Sequence, residues 1–133
     1  MSTKTCRRLL HCQFPGELKE ISSVASFVKF SCESFDYFDD EFIMAIQESV
    51  NQAFSHICAH SYKLEPLPII VECQKVNDGL LVKLFDTGEP FSAKQGTTAL
   101  TKVFSSMDTV EFAPKTKKEE WNQLHLFKKY CQV

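Results

Sequence analysis

The chain has 133 residues, 44% of them hydrophobic and 24% charged, and its formal net charge at pH 7 is −2. This composition is ordinary for a soluble globular protein, and the length predicts one domain, residues 1–133, with its own hydrophobic core. The slight negative charge supplies no general attraction for nucleic acid or for an anionic membrane, so we expect neither as a partner.

Targeting signals and cysteines bear on the cellular compartment. No apolar run approaches the roughly eighteen residues needed to span a bilayer, and the first residues lack the apolar core of a signal peptide. The six cysteines are scattered, and none forms a CxxC pair. In a reducing compartment such cysteines are usually buried as small hydrophobic residues. We therefore expect a cytoplasmic protein.

The first predicted elements are one strand and two helices. Residues 6–14 favour a strand, which Pro15-Gly16 ends. Apolar residues at helical spacing predict a helix from Glu17 to about Cys32, and a longer one over residues 39–60. Candidate N-caps for the longer helix are Asp36, Asp39 and Asp40.

A β-hairpin is predicted after Pro66 and Pro68, which close the helical region. Two apolar runs, residues 69–73 and 80–85, flank Asn77-Asp78-Gly79. That triplet accepts positive φ at low cost and is therefore a strong hairpin signal. The second strand delivers Asp86 at its C-terminal end.

The last predicted elements are a helix at residues 98–107, a strand at 109–112, an exposed loop at 114–120 and a final strand at 121–129. The resulting order is β-α-α-β-β-α-β-β. It predicts an α+β two-layer sandwich in which a mixed, mostly antiparallel sheet carries about three helices on one face.

The long helix carries a line of polar residues opposite its apolar stripe. Glu48, Gln52 and His56 share this line at about 100° per residue. From periodicity alone, a solvated polar face is the favoured interpretation. A second signal, Asp86-Thr87-Gly88-Glu89-Pro90-Phe91, follows the hairpin and adds weight to a functional one.

These motifs, in this order and spacing, resemble a known family over nearly the whole chain. The likeness is to the ATP-binding domains of the histidine-kinase, gyrase and Hsp90 superfamily, and within it to the anti-sigma-factor serine kinases. The residues that carry it are Pro15-Gly16-Glu17-Leu18, Glu48-Ser49-Val50 with Ala53 and His56, Asp86-x-Gly88-x-Pro90-Phe91, Met107-Asp108-Thr109-Val110-Glu111 and Leu124-x-Leu126-x-Lys128. The resemblance implies a Bergerat-type ATP-binding fold.

The resemblance also implies roles for two residues of the long helix. Glu48 matches the general base of such kinases, a task that suits a carboxylate within hydrogen-bond reach of the attacking hydroxyl. Gln52 stands where the family has an asparagine that ligates Mg²⁺, and Asn51 is displaced from it by about 100° around the helix. Glutamine keeps the amide oxygen but adds a methylene, so whether Mg²⁺ is retained stays open.

The remaining implied contacts are to the nucleotide. Asp86 matches the residue that accepts a hydrogen bond from the adenine amino group, and Gly88 the glycine that lets the base approach the backbone. Gly96 and Thr98, at the start of the predicted third helix, are the candidate phosphate-binding residues. The alternative for Asp86-Thr87-Gly88 is ordinary turn chemistry after a strand.

Three departures from the family pattern predict weakened catalysis. Gln52 replaces the metal-ligating asparagine, and the segment from Ser92 to Gly96 is short for a lid over a triphosphate. Phe127 stands where the family usually has a threonine beside the adenine-binding aspartate.

Three functions remain open from the sequence. The first is a regulator, similar to anti-sigma factors, that binds a partner protein (a sigma factor or antagonist-type regulator) while its ATP and Mg²⁺ binding is weakened. The second is an active serine kinase that phosphorylates a small antagonist protein. The third, ranked last, is a redox or metal protein using its cysteines. By analogy with the family we expect a homodimer.

Overall fold

The chain alternates between strands and helices as its apolar spacing changes. The computed structural model describes residues 9–35, 38–61, 67–88, 106–116 and 120–130. Two α-helices and five strands lie in this part of the chain: β1 (Leu9–Pro15), α1 (Ile21–Phe35, after a 3₁₀ turn at Leu18–Glu20), α2 (Asp40–Ser61), β2 (Pro68–Val76), β3 (Gly79–Asp86), β4 (Thr109–Ala113) and β5 (Asn122–Lys129). The general α+β class is therefore confirmed.

The described strands form one sheet in the order β1-β2-β3-β5-β4. All four neighbouring pairs are antiparallel, so the prediction of a mixed sheet is wrong for these strands. Two helices separate β1 from β2. The first carries the chain away from the end of the sheet where β1 finishes, and the second carries it back, so β2 starts at that end and runs antiparallel to β1. A single crossover helix would instead give a parallel pair.

The core lies between the sheet and the two helices. Inward positions alternate along β2, β3 and β5 with half-buried outward ones. The largest fully buried side chains come from the long helix and these three strands: Phe54, Ile46, Ile57, Ile69, Leu80, Leu84, Leu124 and Leu126. This continuous apolar layer fixes which face of each strand meets α1 and α2.

The helix boundaries follow from capping and burial. Asp39 Oδ1 accepts a hydrogen bond from Phe42 N–H (2.8 Å), so Asp39 is an N-cap of α2 as predicted. Helix α1 runs three residues beyond the predicted Cys32, because Phe35 continues the buried stripe of Val28 and Cys32. Asp36 lies outside the described residues.

The predicted hairpin is confirmed, but its physical reason differs. Val76 pairs with Gly79, which leaves Asn77 and Asp78 as a two-residue turn. No described residue has a positive φ, so the turn does not use the conformational freedom that was expected of Gly79. Gly79 is instead buried against β5, where a side chain would collide.

Two further predictions concern the C-terminal third. The strands at 109–112 and 121–129 are confirmed as β4 and β5. The third helix, predicted at 98–107, falls mostly outside the described residues, which include only Ser106 and Met107 of it. No helix in the described ranges is long and apolar enough to cross a membrane.

Candidate functional site

Helix α2 presents its predicted polar line away from the core. Val50, Ala53 and Phe54 are buried, whereas Glu48 and Gln52 are exposed. Glu48 and Gln52 therefore lie opposite the apolar stripe as predicted, whereas His56, the third member of the predicted line, is half-buried. A purely solvated helix face would have the same exposure.

A cavity next to α2 distinguishes these residues from an ordinary polar face. It has a volume of about 270 Å³, and its described lining comprises Glu48, Ser49, Asn51, Gln52 and Ser106. The volume is just below the range of roughly 300–1,000 Å³ that is typical of small-molecule sites. The cavity therefore brings the predicted base and the predicted metal ligand to one place.

Lys128 holds the backbone of Ser106, one of the residues that line this cavity. Its Nζ donates to the backbone oxygen of Ser106 (2.8 Å), and the contact is half-buried. A lysine bonded to a carbonyl at a helix end is a common way of satisfying the last carbonyls of a helix. Strand β5 thus anchors the residue that precedes buried Met107.

Asp86 forms a second polar cluster, at the end of β3. It is only 3% exposed, and its side chain lies on the helix-facing side of the sheet, like those of Val82 and Leu84. Asp86 Oδ1 accepts hydrogen bonds from Gly88 N–H (2.9 Å) and from Asn122 Nδ2 (2.9 Å). The bond to Gly88 is the local one of an Asx turn, so turn chemistry accounts for part of this geometry.

Asn122 is the functional candidate that the sequence analysis missed. It is 1% exposed and lies directly opposite Asp86 in the β3–β5 register. Its Nδ2 also donates to Gly88 O (2.9 Å), and its Oδ1 accepts from Lys115 N–H (2.8 Å). The available signal was the alternation Asn122, Leu124, Leu126, which places an amide at the head of a buried row.

The prediction that Phe127 lies beside Asp86 is wrong. Phe127 pairs with Leu81 and with Thr109, whereas Asn122 pairs with Asp86. At about 3.3 Å per residue, Phe127 is roughly 17 Å along the strand from Asn122. The ring of Phe127 therefore does not lie beside Asp86.

Helix α2 connects the two clusters, because it runs in the same direction as β3. Near its start, Phe42 packs edge-on against Tyr130, whose N–H bonds to Asp78 O at the start of β3. Further along, Phe54 packs against Phe14 at the other end of the sheet.

The Glu48 cavity and Asp86 thus lie on the same side of the sheet. Asp86 is not among the described lining residues of the cavity, so one hollow that contains both carboxylates stays a prediction. Gly96 and Thr98 lie outside the described residues.

A larger cavity, of about 450 Å³, lies at the other end of α2, between Phe42, Tyr130, Asp39, Asp108 and Lys128. Asp39 already caps α2, and Asp108 Oδ2 accepts a bond from Lys129 N–H (2.6 Å). Two of its three acidic side chains, Asp39 and Asp108, therefore bond to the backbone, and Glu41 is the third. Because it contains none of the predicted site residues, volume alone does not make it the candidate site.

The smaller cavity offers an oxygen ligand that is compatible with a magnesium ion. Gln52 is exposed and carries a hard amide oxygen, and Mg²⁺ commonly keeps several waters. Asn51 Oδ1 is inaccessible to solvent and has no hydrogen-bond partner among the described residues. Asn51 therefore does not present its oxygen to the cavity, and Gln52 is the amide that can.

The described residues contain no group of three or more histidine, cysteine, aspartate and glutamate side chains that could hold a metal ion. Burial raises the pKa of Cys32 and of Cys73 to about 12, and that of Cys58 to about 11. These three thiols therefore lie in the hydrophobic core, where the neutral form is favoured over the nucleophilic thiolate.

Comparison with known proteins adds no family assignment. No protein-family model matches the chain, and no curated protein sequence matches it significantly.

Proposed function

We propose that the chain is a regulatory protein similar to anti-sigma-factor serine kinases, which acts by binding a partner protein and whose Mg-ATP site is weakened. The observation that carries the proposal is the buried hydrogen-bond cluster of Asp86, Gly88 and Asn122. It lies at the C-terminal end of β3, on the side of the sheet that faces the helices. The partner would be a sigma factor or an antagonist-type regulator, and the site would take an adenine nucleotide.

The cluster supports a ligand role because of where it lies. Asp86 and Asn122 head two inward rows that otherwise consist of Val82, Leu84, Leu124 and Leu126. A buried carboxylate is costly unless hydrogen bonds compensate for its lost hydration. Buried polar groups of this kind occur at functional sites as well as in structural networks.

The proposal gives each residue of the site a task. Asp86 accepts a hydrogen bond from the amino group of the adenine, and Gly88 lets the base lie against the backbone. Glu48, exposed at the cavity, would take a proton from an attacking hydroxyl. A bound Mg²⁺ would neutralise phosphate charge, and Gln52 is the residue that would hold it.

Two features favour partner binding over efficient catalysis. Gln52 has one methylene more than asparagine, which makes near-octahedral Mg²⁺ geometry harder to reach. The segment from Ser92 to Gly96 is short for a cover that excludes water from a triphosphate. Phe127 no longer counts as a third feature, because it lies far from Asp86.

The alternative function is an active protein serine kinase. The observation that favours it is the position of Glu48 and Gln52 together at one cavity, where a base and a metal ligand are needed. This function predicts that Mg-ATP is converted to ADP as its γ-phosphoryl group is transferred to a serine hydroxyl of the partner protein, and that this transfer is lost in Glu48→Gln.

Calorimetry with ATP and ADP, with and without Mg²⁺, tests the proposal. We expect weak binding by the wild type, loss of that binding in Asp86→Asn, and little change in Glu48→Gln when ADP is the ligand. Asp78→Asn, in the exposed β2–β3 turn, is the matched control. Heat that is identical in Asp86→Asn and wild type would mean that this carboxylate does not read the base.

The expected homodimer has its own test. Sedimentation at micromolar protein should show a dimer, and a monomer alone would remove this part of the proposal. Neither result bears on nucleotide binding, so the two parts fail separately.

A further inference from the structure

Asn122 makes contacts that exceed those of an ordinary strand residue. Its side chain reaches three segments: Asp86 at the end of β3, Gly88 after it, and Lys115 after β4. Both of its Nδ2 hydrogens and its Oδ1 are used, and the residue is almost wholly buried. An amide with this saturation has one orientation, because a flipped side chain would place donor against donor at Lys115.

The first consequence is a fixed carboxylate. Asp86 Oδ1 receives two donors, from Gly88 and from Asn122, each at 2.9 Å. Two donors at one oxygen restrict rotation of the carboxylate about its Cβ–Cγ bond. The direction of Oδ2 is therefore set by Asn122 as well as by Asp86 itself.

The second consequence is a fixed backbone. The same Nδ2 that bonds to Asp86 also bonds to Gly88 O, and so holds the chain just beyond β3. Lys115 reinforces the contact from the other side, because its Nζ donates to Thr87 O (2.8 Å). The two residues that would contact a base, Asp86 and Gly88, are thus positioned by one neighbouring amide.

We propose that Asn122 is the positioning residue for base recognition. By fixing the orientation of the Asp86 carboxylate, it sets how strongly the site prefers a base with an amino group, such as adenine, over one without. This inference rests on the proposed function. It does not require Asn122 to touch the nucleotide. A leucine-sized apolar residue would fill the space but would leave Asp86 without its second donor, which is costly for a buried carboxylate.

Asn122→Asp is the sharpest test, because it changes shape least and charge most. It keeps an acceptor for Lys115 N–H but turns the donor toward Asp86 and Gly88 O into an oxygen. Asn122→Thr keeps one donor and serves as the conservative variant. Asn77→Asp adds the same charge in the exposed β2–β3 turn and is the matched control.

The measurement is the ratio of dissociation constants for ADP and IDP, whose base carries a carbonyl in place of the amino group. A hydrogen bond to a charged group predicts that wild type and Asn77→Asp prefer ADP by roughly tenfold or more. We expect Asn122→Asp to lose this preference and Asn122→Thr to keep part of it. Hydrogen–deuterium exchange should become faster at the amide of Gly88 in Asn122→Asp, and should change less at Lys115, whose acceptor is kept.

Each outcome decides between roles. If Asn122→Asp and Asn122→Thr weaken ADP and IDP equally, with an unchanged ratio, Asn122 is only structural and the inference is overturned. A second outcome is a preference for ADP over IDP that is present in the wild type and in both Asn122 variants but absent in Asp86→Asn. In that case the proposed function stands and this inference falls. If wild type binds neither nucleotide, this inference and the nucleotide site of the proposed function both fall, while partner binding is judged separately.

Discussion

Gly79 lies beneath the ring of Phe127. A Cβ on Gly79 would come within 2.7 Å of Phe127 Cε1 and would also collide with the backbone oxygen of Lys128. The contact joins the start of β3 to β5, and it explains a glycine whose φ is not positive. Close approach of two strands, rather than turn geometry, requires the missing side chain here.

Gly79→Ala should therefore destabilise the protein by about 1–3 kcal/mol, the usual cost of overpacking. Urea unfolding measures this free energy. In a Phe127→Leu background the cost should shrink but not vanish, because the carbonyl of Lys128 cannot move as a side chain can. A gain in stability, as expected where alanine merely restricts the unfolded chain, would contradict the close contact.

Asp39→Ala should cost about 1 kcal/mol, because it removes the side-chain acceptor of Phe42 N–H at the start of α2. Asp40→Ala is the control, since Asp40 is the exposed first residue of the same helix and supplies only its charge to the helix dipole. Thermal or urea unfolding should rank the two losses in that order. Equal losses would show that charge, not capping, is what Asp39 contributes.

The environment of His125 predicts that the folded protein becomes less stable as the pH falls. Burial lowers the pKa of His125, and neighbouring Lys83 lowers it further, while Glu111 and Glu72 raise it and only partly offset this. A histidine whose folded pKa lies below its ordinary value is stabilised as the neutral form. Its contribution is present above the ordinary pKa of 6.5 and is lost as the pH falls through the folded pKa.

Urea unfolding between about pH 5 and pH 8 tests this sign. Wild type should lose more stability at the acid end than His125→Gln, which cannot take up the proton. Lys83→Met should reduce the pH dependence, because it removes a cation that lowers the pKa of His125. Parallel profiles for wild type and His125→Gln would contradict the prediction.

The buried cysteines should resist alkylation in the native protein. With a pKa of about 12 for Cys32 and Cys73, on the order of one thiol in ten thousand is ionised near pH 8, and both side chains are fully buried. Among the four cysteines that the structure describes, peptide mass spectrometry after iodoacetamide should show Cys12, which is half-buried, labelled first. Cys32 and Cys73 should label only in denaturant, and native labelling of either at the rate of Cys12 would contradict their place in the core.

Local sequence patterns were sufficient for most of the secondary structure. Helical spacing around Val50 and Phe54 located α2 almost to the residue, and Asp39 marked its start, because capping and amphipathic periodicity depend on neighbours within one or two turns. Asn77-Asp78-Gly79 located the hairpin, and Asp86 was correctly placed at the end of its second strand. The reason given for Gly79 was wrong, because the residue that requires it lies some fifty positions later in the chain.

The sequence by itself determined the α+β class, the core stripes and the exposure of Glu48 and Gln52, since each follows from the alternation of apolar and polar residues along one element. Only the tertiary structure decided that every described strand pair is antiparallel, and that Asn122 rather than Phe127 is the neighbour of Asp86. Register across a sheet depends on which rows of two distant strands are buried together. A shift of that register by one residue or by five changes which side chain lies beside the Asp86 carboxylate. The sequence pattern of each strand by itself stays the same.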